Sequence, residues 1–256
     1  MHVSRAPLEN GLVEGLSLDF NRHALFFDID GTLIDLAPTP DSVVIDPAFA
    51  DALEKLVSRL SGAIALVTGR PLGFIEERFP LFSGAVAALH GTEFRLPTGE
   101  IETLDPGDHF QLAKDFLHRV PERENGLLVE DKGNAIALHY RSAPEQADIA
   151  FELIKAAQKL AGPEWRVQPG KFVFELRSSL GSKGAAVLRL MQNSPFNGRI
   201  PIAFGDDLTD VPMLETANDL GGVGIAVGGA IGAGAFAFLS APAEVRSWVM
   251  REAYRT

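Results

Sequence analysis

The segment ALFFDIDGTLIDL, residues 24–36, constrains the fold more than any other stretch of the chain. Ala24 to Phe27 are apolar without a break, and the run stops abruptly at Asp28-Ile29-Asp30-Gly31-Thr32. An unbroken apolar run closed by a glycine turn is the pattern of a strand buried on both faces, as in a parallel sheet covered by helices. Two carboxylates at its exit repel each other and lose hydration unless a cation lies between them. Taken alone, the segment is equally a strand closed by an Asx-type turn.

The pattern recurs. AIALVTGR (63–70), GAVAALHG (84–91), RIPIAFGDD (199–207) and GVGIAV (222–227) read as further buried strands. DPAFADALEKLVSRL (46–60), SKGAAVLRLMQ (182–192) and LTDVPMLETA (208–217) read as helices between them, the first with Asp46 as cap and Pro47 in the first turn. GAFAFLSAPAEVRSWVMREA (234–253) suggests one more strand and a closing helix. The fold class expected is therefore α/β, a parallel sheet with helices on its faces. The rhythm changes after Thr92. EFRLPTGEIETL reads as a hairpin, a helix follows over 107–120, and GLLVEDKGNAIALHYR and EWRVQPGKFVFELR are strand pairs around the helix PEQADIAFELIKAAQKL. These strands alternate, as expected of an antiparallel sheet with one face in water. Residues 107–177 are thus expected to form an inserted α+β cap domain in a core of residues 1–106 and 178–256.

A chain of 256 residues can bury a sizeable core in one large domain or two smaller ones. Its net charge of -11 argues against a nucleic-acid partner but leaves an anionic small molecule open, because a metal and a few bases reverse the field inside one cleft. There is no cysteine, hence no disulfide or thiolate chemistry. No signal-peptide pattern opens MHVSRAPLENGLVEGLSLDF, and no run approaches the roughly 20 apolar residues of a membrane span. A cytoplasmic protein, monomeric or weakly oligomeric and without membrane attachment, is expected.

In open α/β sheets, ligands bind beyond the carboxyl ends of the strands. Three such ends carry chemistry here: Asp28 to Thr32, Thr68-Gly69-Arg70, and Gly205-Asp206-Asp207-Leu208-Thr209-Asp210, while Ser182-Lys183-Gly184 opens a helix near the same edge. Singly, each is as well read as a turn, a solvated lysine or a helix start. Together, Asp28 and Asp206 can meet at one Mg²⁺, a hard cation that takes oxygen ligands, and Thr68 and Lys183 can hold a phosphoryl group. That set supplies an aspartate nucleophile, a neighbouring acid/base, a cation and a phosphate cradle.

The four motifs in this order resemble the haloacid-dehalogenase superfamily of phosphotransferases. The resemblance implies a Rossmann-like parallel sheet core with helices on both faces, and a Mg²⁺-dependent reaction in which Asp28 forms an aspartyl phosphate and Asp30 protonates the leaving alcohol, then activates water. It implies phosphate binding by Thr68 and Lys183, and a metal held by Asp28, Asp206 and the Asp30 carbonyl. Asp207 and Asp210 would support Lys183 or a metal-bound water. Within that superfamily, VEDKGNAIALHYR, GKFVFELR, LHGTEFR and FGDDLTD are similar to the trehalose-6-phosphate phosphatase family, over roughly residues 22–250. Ser178 after ELR, where the family often has Pro, and DIDGT, where it often has DFDGT or DYDGT, are departures that touch no reacting group. The implied reaction is hydrolysis of trehalose 6-phosphate to trehalose and phosphate.

Period-2 reading of the cap strands places Glu130 with Lys132, His139 with Arg141, and Lys171 with Glu175 on one polar face, opposite Leu138, Tyr140, Phe172, Phe174 and Leu176. Such a face is either a solvated surface of cross-strand ion pairs or a surface that hydrogen-bonds sugar hydroxyls. The resemblance favours the second, with Glu130, Lys132, Arg141, Lys171 and Glu175, joined by Gly69, Arg70 and His90 of the core, as substrate-binding residues. The nearest rival is a capped phosphatase of the same superfamily acting on another sugar phosphate such as sucrose 6-phosphate. A signalling receiver needs neither Asp30 nor a cap, and an inactive binding module would have lost one of Asp28, Asp30, Lys183 or Asp206.

Overall fold

The computed structural model describes residues 16–36, 45–103, 105, 107–121, 124–179, 181–229, 231 and 237–256. The leader reading of residues 1–15, and the start of the strand expected from residue 234, lie outside them. The chain divides into two compact units, Met1–Glu102 with Ser182–Thr256, and Thr103–Gly181. The second begins at 103 and ends at 181, against the expected 107 and 177.

In chain order the first unit opens with β1 (His23–Phe27), α1 (Pro47–Arg59), β2 (Ile64–Val67), α2 (Leu72–Arg78), β3 (Ala85–Ala88), β4 (Glu93–Arg95) and β5 (Ile101–Thr103). The second unit holds α3 (Gly107–His118), β6 (Leu128–Asp131), β7 (Ala135–His139), α4 (Ala147–Ala161), β8 (Trp165–Gly170) and β9 (Val173–Ser178). The first unit resumes with α5 (Lys183–Met191), β10 (Ile200–Gly205), α6 (Val211–Asp219), β11 (Val223–Val227), β12 (Ala237–Leu239) and α7 (Pro242–Tyr254).

The large sheet runs β12-β11-β10-β1-β2-β3-β4-β5, parallel from β12 to β3, with β4 antiparallel to β3. Every residue of β2 and β3, and all of β1 after His23, is buried, as the unbroken apolar runs require. Chain order reverses at β1, which lies between β10 and β2, so a crevice opens beyond the carboxyl ends there. Phe27 pairs with Phe204 in register and their rings stack at 4.7 Å, which brings the acidic exits of β1 and β10 out side by side. α1 is capped as its sequence predicts, with the Asp46 carboxylate accepting from Ala48 N at 2.9 Å.

The second unit is a four-stranded antiparallel sheet, β6-β7-β9-β8, whose apolar face packs on α3 and α4. Phe110 stacks on Trp165 at 3.7 Å, and Ile136, Leu138 and Leu176 are fully buried. Pro169, which has no N–H to donate, lies on the edge strand β8. Among the described residues no helix is long and apolar enough to cross a membrane.

Candidate active site

The site begins where β1 ends. Asp28 leaves the sheet 4% exposed, its N–H still donating to Phe204 O at 3.0 Å. The chain then turns at Gly31, with φ of +84°. A Cβ there would lie 2.1 Å from Asp206 Oδ2, so only glycine admits the two strand exits this close together. Thr32 donates its hydroxyl to Asp206 Oδ1 at 3.2 Å. That threonine belongs to the DGT run but has no role in the sequence reading.

Lys183 is the first residue of α5, a helix capped by Ser182 Oγ, which accepts from Ala185 N at 3.0 Å. Helix N-termini disfavour cations. Lys183 is nevertheless only 3% exposed, because its ammonium donates to Asp28 Oδ1 and Asp210 Oδ1, each at 2.5 Å. The approach of α5 to α6 makes this possible: a Cβ on Gly184 would sit 2.5 Å from Pro212 O. Asp210 is fully buried, and its second oxygen accepts the N–H groups of Asp206 and Asp207, each at 3.0 Å. Asp207 thus enters through its main chain while its side chain stays exposed.

The electrostatics follow from burial. Desolvation pushes Asp28 up to about 8 against the pull of Lys183, and Asp210 adds to the rise. Asp206 is raised to about 6, first by burial and then by the charge of Asp210. Burial works against the charge of Lys183, but Asp28 and Asp210 outweigh it and raise its pKa. The oxygens of Asp28, Asp206 and Asp210 lie within 4.8 Å of one another. An all-oxygen set with two carboxyls pushed upward by burial fits a hard divalent cation. Asp210, expected only in support, belongs to this cluster. The Asp30 carboxylate does not.

The Asp30 side chain is engaged elsewhere. Arg70 Nε donates to its Oδ2 at 2.8 Å and Arg70 Nη2 to its Oδ1 at 2.7 Å. These bonds raise the Arg70 pKa against partial burial. Arg70 N also donates to Thr68 Oγ1 at 3.1 Å, and the Arg70 guanidinium lies 4.6 Å from the ring centre of Phe74. His90 N donates to Thr68 O at 2.8 Å, in a turn where Leu89, His90 and Gly91 all have positive φ. The His90 imidazole lies against Gly69, where a Cβ would meet Nε2 at 2.7 Å. Asp28, Asp30, Thr68, Gly69, Arg70, His90, Lys183, Asp206 and Asp210 therefore form linked networks at the carboxyl edge of one sheet.

In the second unit, register puts Glu130, Ala137, Glu175 and Gln168 in one row across the four strands. Lys132 Nζ donates to Glu175 Oε2 at 2.6 Å, and Glu130 pairs with His139 at 2.8 Å. The Lys132–Glu175 bond spans β7, where Ala135 and Ala137 are small enough to let it pass. Two expected members leave the row. Lys171 sits in the turn between β8 and β9, because Phe172 at φ +61° breaks the alternation that the sequence reading carried through it. Arg141 lies in the turn after β7 and is exposed. Gln168 and Arg177, in register with Glu175 and Ala135, share the polar face and were not predicted. Period-2 counting from Glu175 reaches Arg177, but only the pairing of β8 with β9 identifies Gln168.

The trehalose-phosphatase family profile matches residues 26–231. A probable trehalose-phosphate phosphatase of Sinorhizobium fredii is 42% identical over 228 residues, covering 89% of this chain and 86% of the relative. The trehalose-6-phosphate phosphatase of Escherichia coli is 36% identical over 210 residues, covering 81% and 78%. Among solved structures, the C-terminal domain of the C. albicans trehalose-6-phosphate phosphatase matches the fold with a TM-score of 0.70 at 23% identity, over 91% of this chain and 92% of that one. A haloacid dehalogenase-like hydrolase from Bacteroides thetaiotaomicron shares the fold with a TM-score of 0.69 at 16% identity, over 90% and 99%.

Proposed function

This chain belongs to the trehalose-phosphatase family, and from that premise we propose how its residues hydrolyse trehalose 6-phosphate to trehalose and phosphate. The observation that carries the mechanism is Asp28, buried at the end of β1, 2.5 Å from Lys183 and beside two further carboxylates. An Asp28 oxygen attacks phosphorus, the bond from phosphorus to the sugar O6 breaks, and the proton on the Asp30 carboxyl passes to O6. Trehalose leaves, and the phosphoryl group remains on Asp28. Asp30, now a carboxylate, takes a proton from a water molecule whose oxygen attacks phosphorus. Phosphate departs, Asp28 is restored, and Asp30 is protonated for the next cycle.

Thr68 and Lys183 hold the phosphoryl oxygens, and Asp210 orients the Lys183 ammonium. Asp28, Asp206 and the Asp30 carbonyl would hold Mg²⁺, which when bound would supply positive charge against the approach of a phosphate dianion to several carboxylates. Glu130, Lys132, Arg141, Lys171 and Glu175, with Gly69 and His90, recognise the disaccharide. The cross-strand pairs Lys132–Glu175 and Glu130–His139 support this, since they hold donors and acceptors in place for hydroxyls. The division of labour is a catalytic core of residues 1–106 and 178–256 and a specificity cap of 107–177. The partner is a small sugar phosphate. A net charge of -11 weighs against nucleic acid. A monomer or weak oligomer in the cytoplasm completes the proposal.

Rapid acid quench of the protein with trehalose 6-phosphate labelled at phosphorus tests the mechanism. Label should appear on the peptide containing Asp28 and be absent from Asp28→Asn. Turnover with no protein-bound label, across quench times shorter than one cycle, would point to direct attack by water.

A further inference from the structure

We propose that Arg70 is a positioning residue for Asp30, fixing the carboxyl group that exchanges protons, where the sequence assigned Arg70 to the substrate. The inference rests on the reading of Asp30 as acid and base, and not on the identity of the sugar. Both Asp30 oxygens are engaged by one guanidinium, at 2.8 and 2.7 Å, in a two-pronged geometry that fixes a carboxylate in plane as well as in place. Each oxygen keeps a second lone pair for the proton it transfers.

The guanidinium is itself held. Its ring partner Phe74 lies 4.6 Å away on α2, and the Arg70 main chain is tied to Thr68 Oγ1 and to Leu89 N. Asp30 follows β1 and Arg70 follows β2, neighbours in the parallel sheet, so the ion pair closes the two strand exits on one another. The Arg70 and Asp30 side chains are 24% and 26% exposed, enough to meet a substrate yet shielded enough for the pair to hold its geometry. A free Asp30 side chain on a turn would sample several rotamers, only some of which face the leaving oxygen. Misplacing a reacting group by about 1 Å costs on the order of 100-fold in rate.

A double-mutant cycle tests this, with Mg²⁺ present and both trehalose 6-phosphate and an aryl phosphate as substrates. Arg70→Ala should lower kcat about 100-fold, with KM little changed on either substrate. Arg70→Lys should recover little of the loss, since an ammonium is a single point of charge and cannot take both oxygens. In an Asp30→Asn background, Arg70→Ala should cost almost nothing further, because its effect passes through the carboxylate already removed. Unfolding midpoints matching the wild type exclude a collapsed fold. Losses that multiply, or a raised KM for the sugar phosphate with kcat intact, overturn the proposal and return Arg70 to the substrate. If the protein turns over the aryl phosphate but not trehalose 6-phosphate, the sugar assignment fails, and the cycle still reads Arg70 on the aryl phosphate.

Discussion

Lys183 carries a full charge into a buried position at a helix N-terminus, and only two aspartates make that tolerable. The three residues sum to one excess negative charge, and burial places its cost on Asp28. Asp28→Asn removes that excess while leaving the Lys183–Asp210 pair intact. It should abolish turnover, yet in the presence of chelator, at a pH above about 8 where Asp28 is ionised, it should unfold no earlier than the wild type in a thermal scan. A clearly lower midpoint would mean that Asp28 is needed for folding as well as for chemistry. The two raised carboxyls also set a pH dependence. Asp28 and Asp206, ordinarily near 3.8, titrate at about 8 and about 6 in the folded protein. The folded state therefore binds more protons than the unfolded one between these limits. Their contribution to stability is fully present below about pH 4 and is lost as pH rises through about 6 and on towards 8. Bound Mg²⁺ selects the deprotonated forms, so it should flatten this decline, and its affinity should rise with pH through about 6. Thermal scans across this range with chelator and with Mg²⁺ check both statements. A chelated protein that gains stability as the pH rises from 5 to 8 would contradict them.

At the scale of elements, the contact between α5 and α6 sets the spacing of Lys183 and Asp210. Gly184→Ala would drive a methyl to 2.5 Å from Pro212 O, so the helices must part. Overpacking of this kind costs about 1–3 kcal/mol of stability, and a lowered kcat should accompany it as Lys183 withdraws from Asp210. Denaturant titration and steady-state kinetics measure the two effects; wild-type values for both would show that the helix spacing is not critical. On the sheet of the second unit, Lys132, Glu175 and Gln168 lie far from any reacting bond in sequence but share a face. Losing a hydrogen bond to a substrate hydroxyl costs about 1–3 kcal/mol, roughly ten- to a hundredfold in rate. Lys132→Ala and Glu175→Ala should each lower kcat/KM for trehalose 6-phosphate by about that factor and barely change hydrolysis of an aryl phosphate. Equal losses on both substrates would make the Lys132–Glu175 pair a structural tie.

At the scale of the whole molecule, much of the architecture was readable because burial on both faces leaves unbroken apolar runs. Ala24 to Phe27, Ile64 to Val67 and Ile202 to Gly205 announced the sheet, and the acids at their ends marked its carboxyl edge. Asp28, Lys183 and Asp206 could be picked out as a set because carboxylates at the ends of buried strands require a cation between them. Asp210 entered only as a supporting residue implied by the family resemblance. The Arg70–Asp30 bond was not readable. It joins side chains 40 residues apart and depends on which strands are neighbours and on where two flexible groups point. Lys171 lies in the turn and not on the strand face read for it, because Phe172 takes a positive φ that is rare for a phenylalanine. Gln168 was missed because strand alternation gives the face within one strand, whereas pairing between strands gives the neighbours.

The central claim is the substrate, and the most direct measurement of it is phosphate release by the purified protein in Mg²⁺. Trehalose 6-phosphate, sucrose 6-phosphate and glucose 6-phosphate are to be compared by kcat/KM under the same conditions, with chelator as a control. The account predicts that trehalose 6-phosphate is preferred by about 100-fold or more, as a site built to bind hydroxyls discriminates against sugars that leave its polar groups unpaired, and that chelator stops all three reactions. Equal rates on the three sugars, or a preference for sucrose 6-phosphate, would contradict it.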